Sequence, residues 1–175
     1  MKQIILGGGC FWCTEAVFQR LKGVTQVTPG YAGGTTSDPD YYTVATGTTG
    51  HAEVIRVTYD ETVVSLGYLL DIFFKTHDPT TLNQQGADRG TEYRSIIMYT
   101  GDSDLAIIHN AIASAQESYA DPIVTEVVKN DVFYEAETEH KDYYLNNASQ
   151  PYCQIRITPK IEKLQRILQD QRETN

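Results

Sequence analysis

The chain is poor in cysteine, methionine and tryptophan, with three, two and one of each among 175 residues. Three cysteines cannot build a disulfide framework, and an odd count leaves at least one thiol free, which excludes a stapled secreted scaffold. Cations are scarce too. Lys and Arg number 14 against 23 Asp and Glu, a formal net charge of −9. Such a surface argues against nucleic acid and anionic membrane as partners. No apolar run approaches the length of a membrane span. The start, Met1-Lys2-Gln3-Ile4-Ile5-Leu6, lacks the longer apolar region and cleavage site of a secretory signal. These absences point to a cytoplasmic chain in a reducing compartment, where cysteines are catalytic, redox-active or inert. The length favours a single domain, residues 1–175, able to bury a core without staples.

What is present concentrates in Gly7-Gly8-Gly9-Cys10-Phe11-Trp12-Cys13-Thr14-Glu15. Gln3 to Leu6 reads as a short buried strand. Ala16, Val17, Phe18 and Leu21 recur at helical spacing, so the stretch is strand, tight turn, helix, with Cys10 at the helix start. Unpaired N–H groups and the helix dipole favour a thiolate there. Cys13 lies one turn on, within plausible reach of a disulfide. Buried packing is the competing use of cysteine beside Phe and Trp, so the rest of the chain must decide.

Val24 to Pro29 reads as extended, Gly30 to Pro39 as a turn-rich loop, and Asp40 to Ala45 as a short helix carrying Tyr41. In His51 to Asp60 both alternating faces are largely apolar, the mark of an inner strand, and Glu53 shares a face with Ile55 and Val57. A carboxylate there is either exposed at the strand end or held in a site. Ser65 to His77 is a helix, stopped by Asp78-Pro79. Residues 78–93 form a long polar loop, of the kind that carries function in compact domains, with Asp88 and Tyr93 as its candidates. A strand over Arg94 to Tyr99 and an amphipathic helix over Ser103 to Tyr119 follow. Val124 to Val128 and Val132 to Tyr134 read as strands, and Glu137 to Leu145 as a helix bearing His140 and Tyr143. A mobile polar segment, 146–156, then delivers Cys153. Thr158-Pro159 predicts an N-cap and first turn for a last helix, 157–175, frayed from Gln169. Irregular alternation of strands and helices predicts an α/β (α+β) fold: a two-layer sandwich with a central mixed sheet and packed helices.

Taken together, Gly9-Cys10-Phe11-Trp12, Gly30-Tyr31-Ala32-Gly33-Gly34, Pro39-Asp40-Tyr41, Thr49-Gly50-His51-Ala52-Glu53, His77-Asp78-Pro79, Gln85-Gly86-Ala87-Asp88, Gly90-Thr91-Glu92-Tyr93-Arg94-Ser95 and His140-Lys141-Asp142-Tyr143 form an ordered series. It resembles the blocks of the A-type peptide methionine sulfoxide reductases. By that resemblance Cys10 is the nucleophile that attacks the sulfoxide sulfur, and Glu53 protonates the sulfoxide oxygen. Tyr41 and Tyr93 donate hydrogen bonds to that oxygen. Phe11 and Trp12 form an apolar wall for the substrate methyl, and Asp88, His140 and Tyr143 support them. Cys153 matches the usual resolving position and is expected to resolve first; Cys13, one turn from Cys10, is the alternative or a second relay. The resemblance further implies specificity for the S-epimer, protein-bound and free methionine sulfoxide as substrates, thioredoxin as external reductant, and neither metal nor organic cofactor. A monomer is expected. Ala87, Glu92 and Lys141 depart from the Asn, Gln and Gln frequent in the family, and Cys13 stands where many members have Gly.

Three other readings share parts of this pattern. A thioredoxin-like dithiol oxidoreductase would explain Cys-x-x-Cys but not Glu53 or the tyrosines. A cysteine hydrolase would pair Cys10 with His51 or His140. A structural zinc module lacks a second closely spaced ligand pair.

Overall fold

The computed structural model describes residues 1–130 and 132–173. Alternation along the first strand sets the sheet. In β1 (Lys2–Gly7), Ile4 and Leu6 face one side and Ile5 the other, and all three are fully buried. A strand apolar on both faces belongs inside a sheet. Ordered along the chain, the other five strands of that sheet are β2 (Val24–Ala32), β3 (Ala52–Tyr59), β6 (Ile96–Tyr99), β7 (Glu126–Lys129) and β8 (Phe133–Glu135). Two-residue strands β4 (Gln84–Gln85) and β5 (Asp88–Arg89) pair separately, as a small hairpin. The six-stranded order is β7-β6-β1-β3-β2-β8. Neighbours run antiparallel except β6 and β7, which are parallel, so the sheet is mixed.

Helices cover the sheet. They are α1 (Phe11–Phe18), α2 (Tyr41–Ala45), α3 (Leu66–Thr76), α4 (Leu105–Gln116), α5 (Tyr143–Asn147) and α6 (Thr158–Glu173). Val17 and Phe18 of α1, Leu69 and Phe73 of α3 and Leu164 of α6 pack with Ile4, Leu6, Ile55 and Val57 in the larger core. Each such buried side chain contributes roughly 1.5–3 kcal/mol. Ile5, Ala32, Ala52, Val54, Ile96 and Met98 form a smaller apolar layer on the opposite face. The expected single α/β domain with a mixed central sheet and packed helices is what the chain forms. No helix among the described residues is long and apolar enough to cross a membrane.

Four local expectations are corrected. Strand β2 continues through Gly30-Tyr31-Ala32, which the turn-residue bias assigns to a loop. Pairing on both sides overrides that bias: Tyr31 sits opposite Glu53 in β3 and Tyr134 in β8, and is fully buried. Glu137 to Leu145 is not one helix. A 3₁₀ turn over Thr138–His140 and α5 are separated at Asp142, whose left-handed φ of 54° breaks the helix. Thr158 is not an N-cap. Its φ of −53° and ψ of −43° are helical, and the chain enters α6 through a wide π turn over Cys153–Ile157. Pro159 has no N–H to donate and crowds the carbonyl four residues back, so a widened turn just before it relieves both problems. Finally, α6 is helical through Glu173, so the stretch expected to fray from Gln169 is ordered to that point. Residues 174 and 175 lie outside the described residues.

Candidate active site

The glycine run lets β1 turn directly into α1. Gly9 has φ +94°, and a Cβ there would sit 2.7 Å from Cγ of Gln85, so glycine is required twice over. Cys10 follows in extended conformation at the head of α1, and its carbonyl accepts the N–H of Cys13 at 3.0 Å. The N–H of Phe11, the first in the helix, goes to Oε1 of Glu53 at 3.1 Å. The first N–H of the helix therefore goes to the acid. Burial pushes the Cys10 thiol well up, and the neighbouring Cys13 and Glu53 add to it. Cys13 moves the other way. A hydrogen bond from Cys10 pulls it down against the effect of burial, and the charges of Lys160 and Arg156 help.

Glu53 enters the site from the inner strand β3. Only 2% of it is exposed. Burial raises its carboxyl to about 8, against the pull of the Phe11 N–H and with further push from Asp88 and Glu92. It is therefore a protonated acid at neutral pH. Tyr41, at the start of α2, is raised to about 12 by burial and then by Glu53 and Cys10. Tyr93, from the 3₁₀ turn Thr91–Tyr93, is raised by burial, then by Glu53 and Tyr41. Both phenols keep their protons and can donate. Nucleophile, acid and donors thus lie within electrostatic range of one another, brought from α1, β3, α2 and the 78–93 loop.

The two residues expected to form the apolar wall differ in exposure. Phe11 is fully buried, its ring behind Tyr41 and His140 at centroid distances of 6.4 and 5.3 Å. Trp12 is half-buried and stacks on Tyr143 at 3.7 Å with 7° between planes. Its indole N–H donates to Nδ1 of His140 at 3.1 Å. His140 and Tyr143 accordingly hold the indole. Asp88 lines a small cavity of about 70 Å³ together with Cys10, Cys13, Tyr152, Arg156 and Lys160. Cys153 is fully buried and packs in one cluster with Cys10 and Cys13.

Five functional neighbours escaped the sequence reading. Tyr152 lines the small cavity beside Cys10. Glu137 accepts from the Tyr31 hydroxyl at 3.0 Å and from the Tyr41 N–H at 3.1 Å, fixing the start of α2. Arg156 and Lys160 reach the cavity from the π turn and α6. Glu15 ties α1 to the break at Asp142: its carboxylate accepts the N–H groups of Asp142 and Tyr143 at 3.2 and 3.3 Å. Tyr152 and Glu15 both sit beside motif residues, which was the available signal; nothing local marks the other partners.

The Glu15 tie yields a prediction. Glu15→Ala leaves the part-buried N–H groups of Asp142 and Tyr143 without their acceptor and should cost roughly 1–3 kcal/mol of stability, read from a denaturant melt. Because Tyr143 then loses its anchor, the emission of Trp12, the sole tryptophan, should shift as well. An unchanged melt with unchanged emission would show that the tie holds nothing.

Among the described residues one group has metal-ligand geometry: Glu137, Glu139 and His140, with ligand atoms within 4.8 Å of one another. It fits a metal poorly. A cation on Nε2 of His140 needs a proton on Nδ1, where the Trp12 N–H already points. Nor do the histidines suit a hydrolase. His51 bonds the Gly34 N–H and the Thr36 carbonyl, and His140 bonds Trp12.

A redox-active thiol oxidoreductase is the class that this fold and site define. The comparisons narrow it. A family model described as peptide methionine sulfoxide reductase matches residues 2–173. The peptide methionine sulfoxide reductase MsrA of Paenarthrobacter aurescens is 53% identical over 163 residues, covering 93% of this chain and 94% of that one. Mxr1 from Saccharomyces cerevisiae in reduced form superposes with a TM-score of 0.83 at 36% identity, over 87% of this chain and 88% of the other. Mxr1 in complex with Trx2 aligns with a TM-score of 0.59 at 28% identity, over 81% and 84%. The chain belongs to the MsrA family of peptide methionine sulfoxide reductases.

Proposed function

We propose that the chain reduces methionine-S-sulfoxide, protein-bound and free, through a sulfenic acid on Cys10 and an intramolecular disulfide. One observation supports this above the others: a buried carboxyl raised to about 8, Glu53, shares the Cys10 site with two protonated phenols. A sulfoxide is a poor electrophile until its oxygen is protonated or strongly hydrogen-bonded. Glu53 gives that proton, and Tyr41 and Tyr93 hold the oxygen as charge redistributes. Cys10 attacks the sulfur, methionine leaves, and the oxygen remains on Cys10 as sulfenic acid. Trp12, braced by Tyr143 and His140, is the apolar surface for the substrate methyl.

Condensation with a second thiol releases water. The family resemblance implies Cys153 first, yet Cys13 lies one turn along α1 and packs beside Cys10. That contact favours Cys13 as first resolver, with Cys153 then attacking Cys13 to relay the bond outward. Cys153 is fully buried, so segment 146–156 must open for an external dithiol to reach it. The Mxr1 complex with the thioredoxin Trx2 supports thioredoxin as that dithiol, acting on a monomer in the cytoplasm.

Turnover with the S-epimer under thioredoxin recycling, and none with the R-epimer, is the expected result; equal rates would remove the assignment of stereochemistry. Mass mapping after one turnover of Cys153→Ser should find a Cys10–Cys13 disulfide, and in Cys13→Ser a Cys10–Cys153 disulfide. A Cys153→Ser variant left with free Cys13 and persistent sulfenic acid would return first resolution to Cys153.

A further inference from the structure

Helix α2 has five residues and buries only Val44. A helix that short has no stability of its own. It is held by its start instead. Asp40 accepts the N–H of Thr43 at 2.8 Å, and the Thr43 hydroxyl accepts the N–H of Asp40 at 3.0 Å, which closes a capping box. Glu137 accepts the next N–H, that of Tyr41, at 3.1 Å. What this fastened turn carries outward is Tyr42, 80% exposed.

A lone exposed aromatic is ordinary on a protein surface. Tyr42 is not alone. Its ring centroid lies 6.1 Å from that of Tyr41, with 78° between planes. Tyr41 in turn lies 6.2 Å from Trp12 at 12°, and Trp12 stacks on Tyr143 at 3.7 Å. Tyr41, Trp12 and Tyr143 are each half-buried. A run of aromatic rings therefore leads from the surface that takes the substrate methyl out to Tyr42, where it turns a corner. No charged side chain belongs to the run, and the indole N–H at its centre is already used by His140. Asp40, the acid next to it, is occupied by the capping box. Contiguous apolar surface of this kind marks a contact site, and tyrosines held on a fixed backbone supply contact area at little entropic cost.

We propose that Tyr42, with the ring of Tyr41 behind it, forms a subsite for an apolar or aromatic side chain two residues from the oxidised methionine, so that extended polypeptide segments are favoured over free methionine sulfoxide. This rests on the reductase reading and gives Tyr42 a role in selection and none in the chemistry. Continuity with Trp12 fixes the occupant: whatever lies on Tyr42 shares the ring run with the substrate methyl. In an extended chain the side chains on one face recur roughly every 6.5–7 Å. With the sulfoxide held at Trp12 and the Tyr41 hydroxyl, the next side chain on that face falls one ring further along, and the Tyr42 ring stands 6.1 Å beyond that of Tyr41. Free methionine sulfoxide has no side chain to place there. A charged side chain finds no free partner on the rings, whereas an apolar one leaves water.

The test compares kcat/KM, under dithiothreitol recycling, for free methionine-S-sulfoxide, for a peptide sulfoxide flanked by glycines, and for the same peptide with phenylalanine two residues before or after the oxidised methionine. Wild type should favour one of the phenylalanine peptides over the glycine peptide by on the order of tenfold, the size of one aromatic contact with its buried area. The gain should appear in KM with kcat unchanged, as for an interaction made equally in ground and transition states. Tyr42→Ala should erase that preference and leave the other two substrates as they are. Tyr42→Phe should keep it, since the ring and not the hydroxyl makes the contact. Equal values for phenylalanine and glycine peptides in wild type would overturn the proposal, and so would a preference that survives in Tyr42→Ala. A Tyr42→Ala protein slowed by one common factor on every substrate would also overturn it, because Tyr42 would then act through the placement of Tyr41. Absence of methionine from every substrate with the wild-type protein would instead sink the reductase reading.

Discussion

Glu53→Gln is expected to slow methionine formation by about 10²–10⁴-fold, the usual cost of losing a positioned general acid. Cys10 should remain alkylatable, because the amide oxygen can still accept the Phe11 N–H and α1 keeps its start. An unchanged single-turnover rate would assign proton donation to another group. The same substitution should stabilise the protein at alkaline pH. The sign follows from the direction of the shift. Glu53 titrates near 8 in the fold instead of near 4.5, so the native state binds protons more tightly than the unfolded chain. Its contribution is fully present below about pH 4.5 and is lost as pH rises through about 8. Glu15, raised to about 7 by burial against its two N–H donors, adds a loss over a lower window. Removing the Glu53 titration should recover on the order of a few kcal/mol at about pH 9. A denaturant midpoint that declines with pH as steeply in Glu53→Gln as in wild type would contradict the raised carboxyl. Activity should follow the same group: the reductase rate should fall above about pH 8, where the acid form runs out.

Cys10→Ser should abolish the reaction outright. No other sulfur is aimed at a site containing Glu53, Tyr41 and Tyr93, and a serine hydroxyl would form no sulfenic acid. The loss should be complete in single turnover as well as in recycling, which distinguishes it from loss of a resolver. Because Cys10 is 8% exposed and caps α1 through its backbone alone, the variant should fold and melt close to wild type. Residual methionine production by a folded Cys10→Ser protein would remove the central assignment.

Much of this site is readable from the chain because it rests on local rules. Three glycines before Cys10 announce a sharp turn. The two-faced apolar strand around Glu53 announces an acid drawn inward. A long polar loop ending at Tyr93 announces function. What stayed hidden depends on distant partners. Gly30-Tyr31-Ala32 reads as turn until β8, about a hundred residues on, supplies a second pairing edge. The break at Asp142 is set by Glu15 on α1, a contact no window of sequence contains. Thr158-Pro159 carries a sound cap signal, but the helix was already running, and proline forced a wider turn instead of a start. Phe11 and Trp12 are adjacent and chemically alike, so only the packing of Tyr41 and His140 shows which ring is sealed in. The cations at 156 and 160 look like the solvated face of a terminal helix until the π turn brings them to Cys13.

The rims of the sheet bear on the company such an enzyme keeps. Its outermost strands are β7, four residues, and β8, three residues, while the long strands are all interior. Stubby borders give a stray extended chain almost nothing to zip onto, so the sheet is guarded against edge-to-edge pairing with other polypeptides.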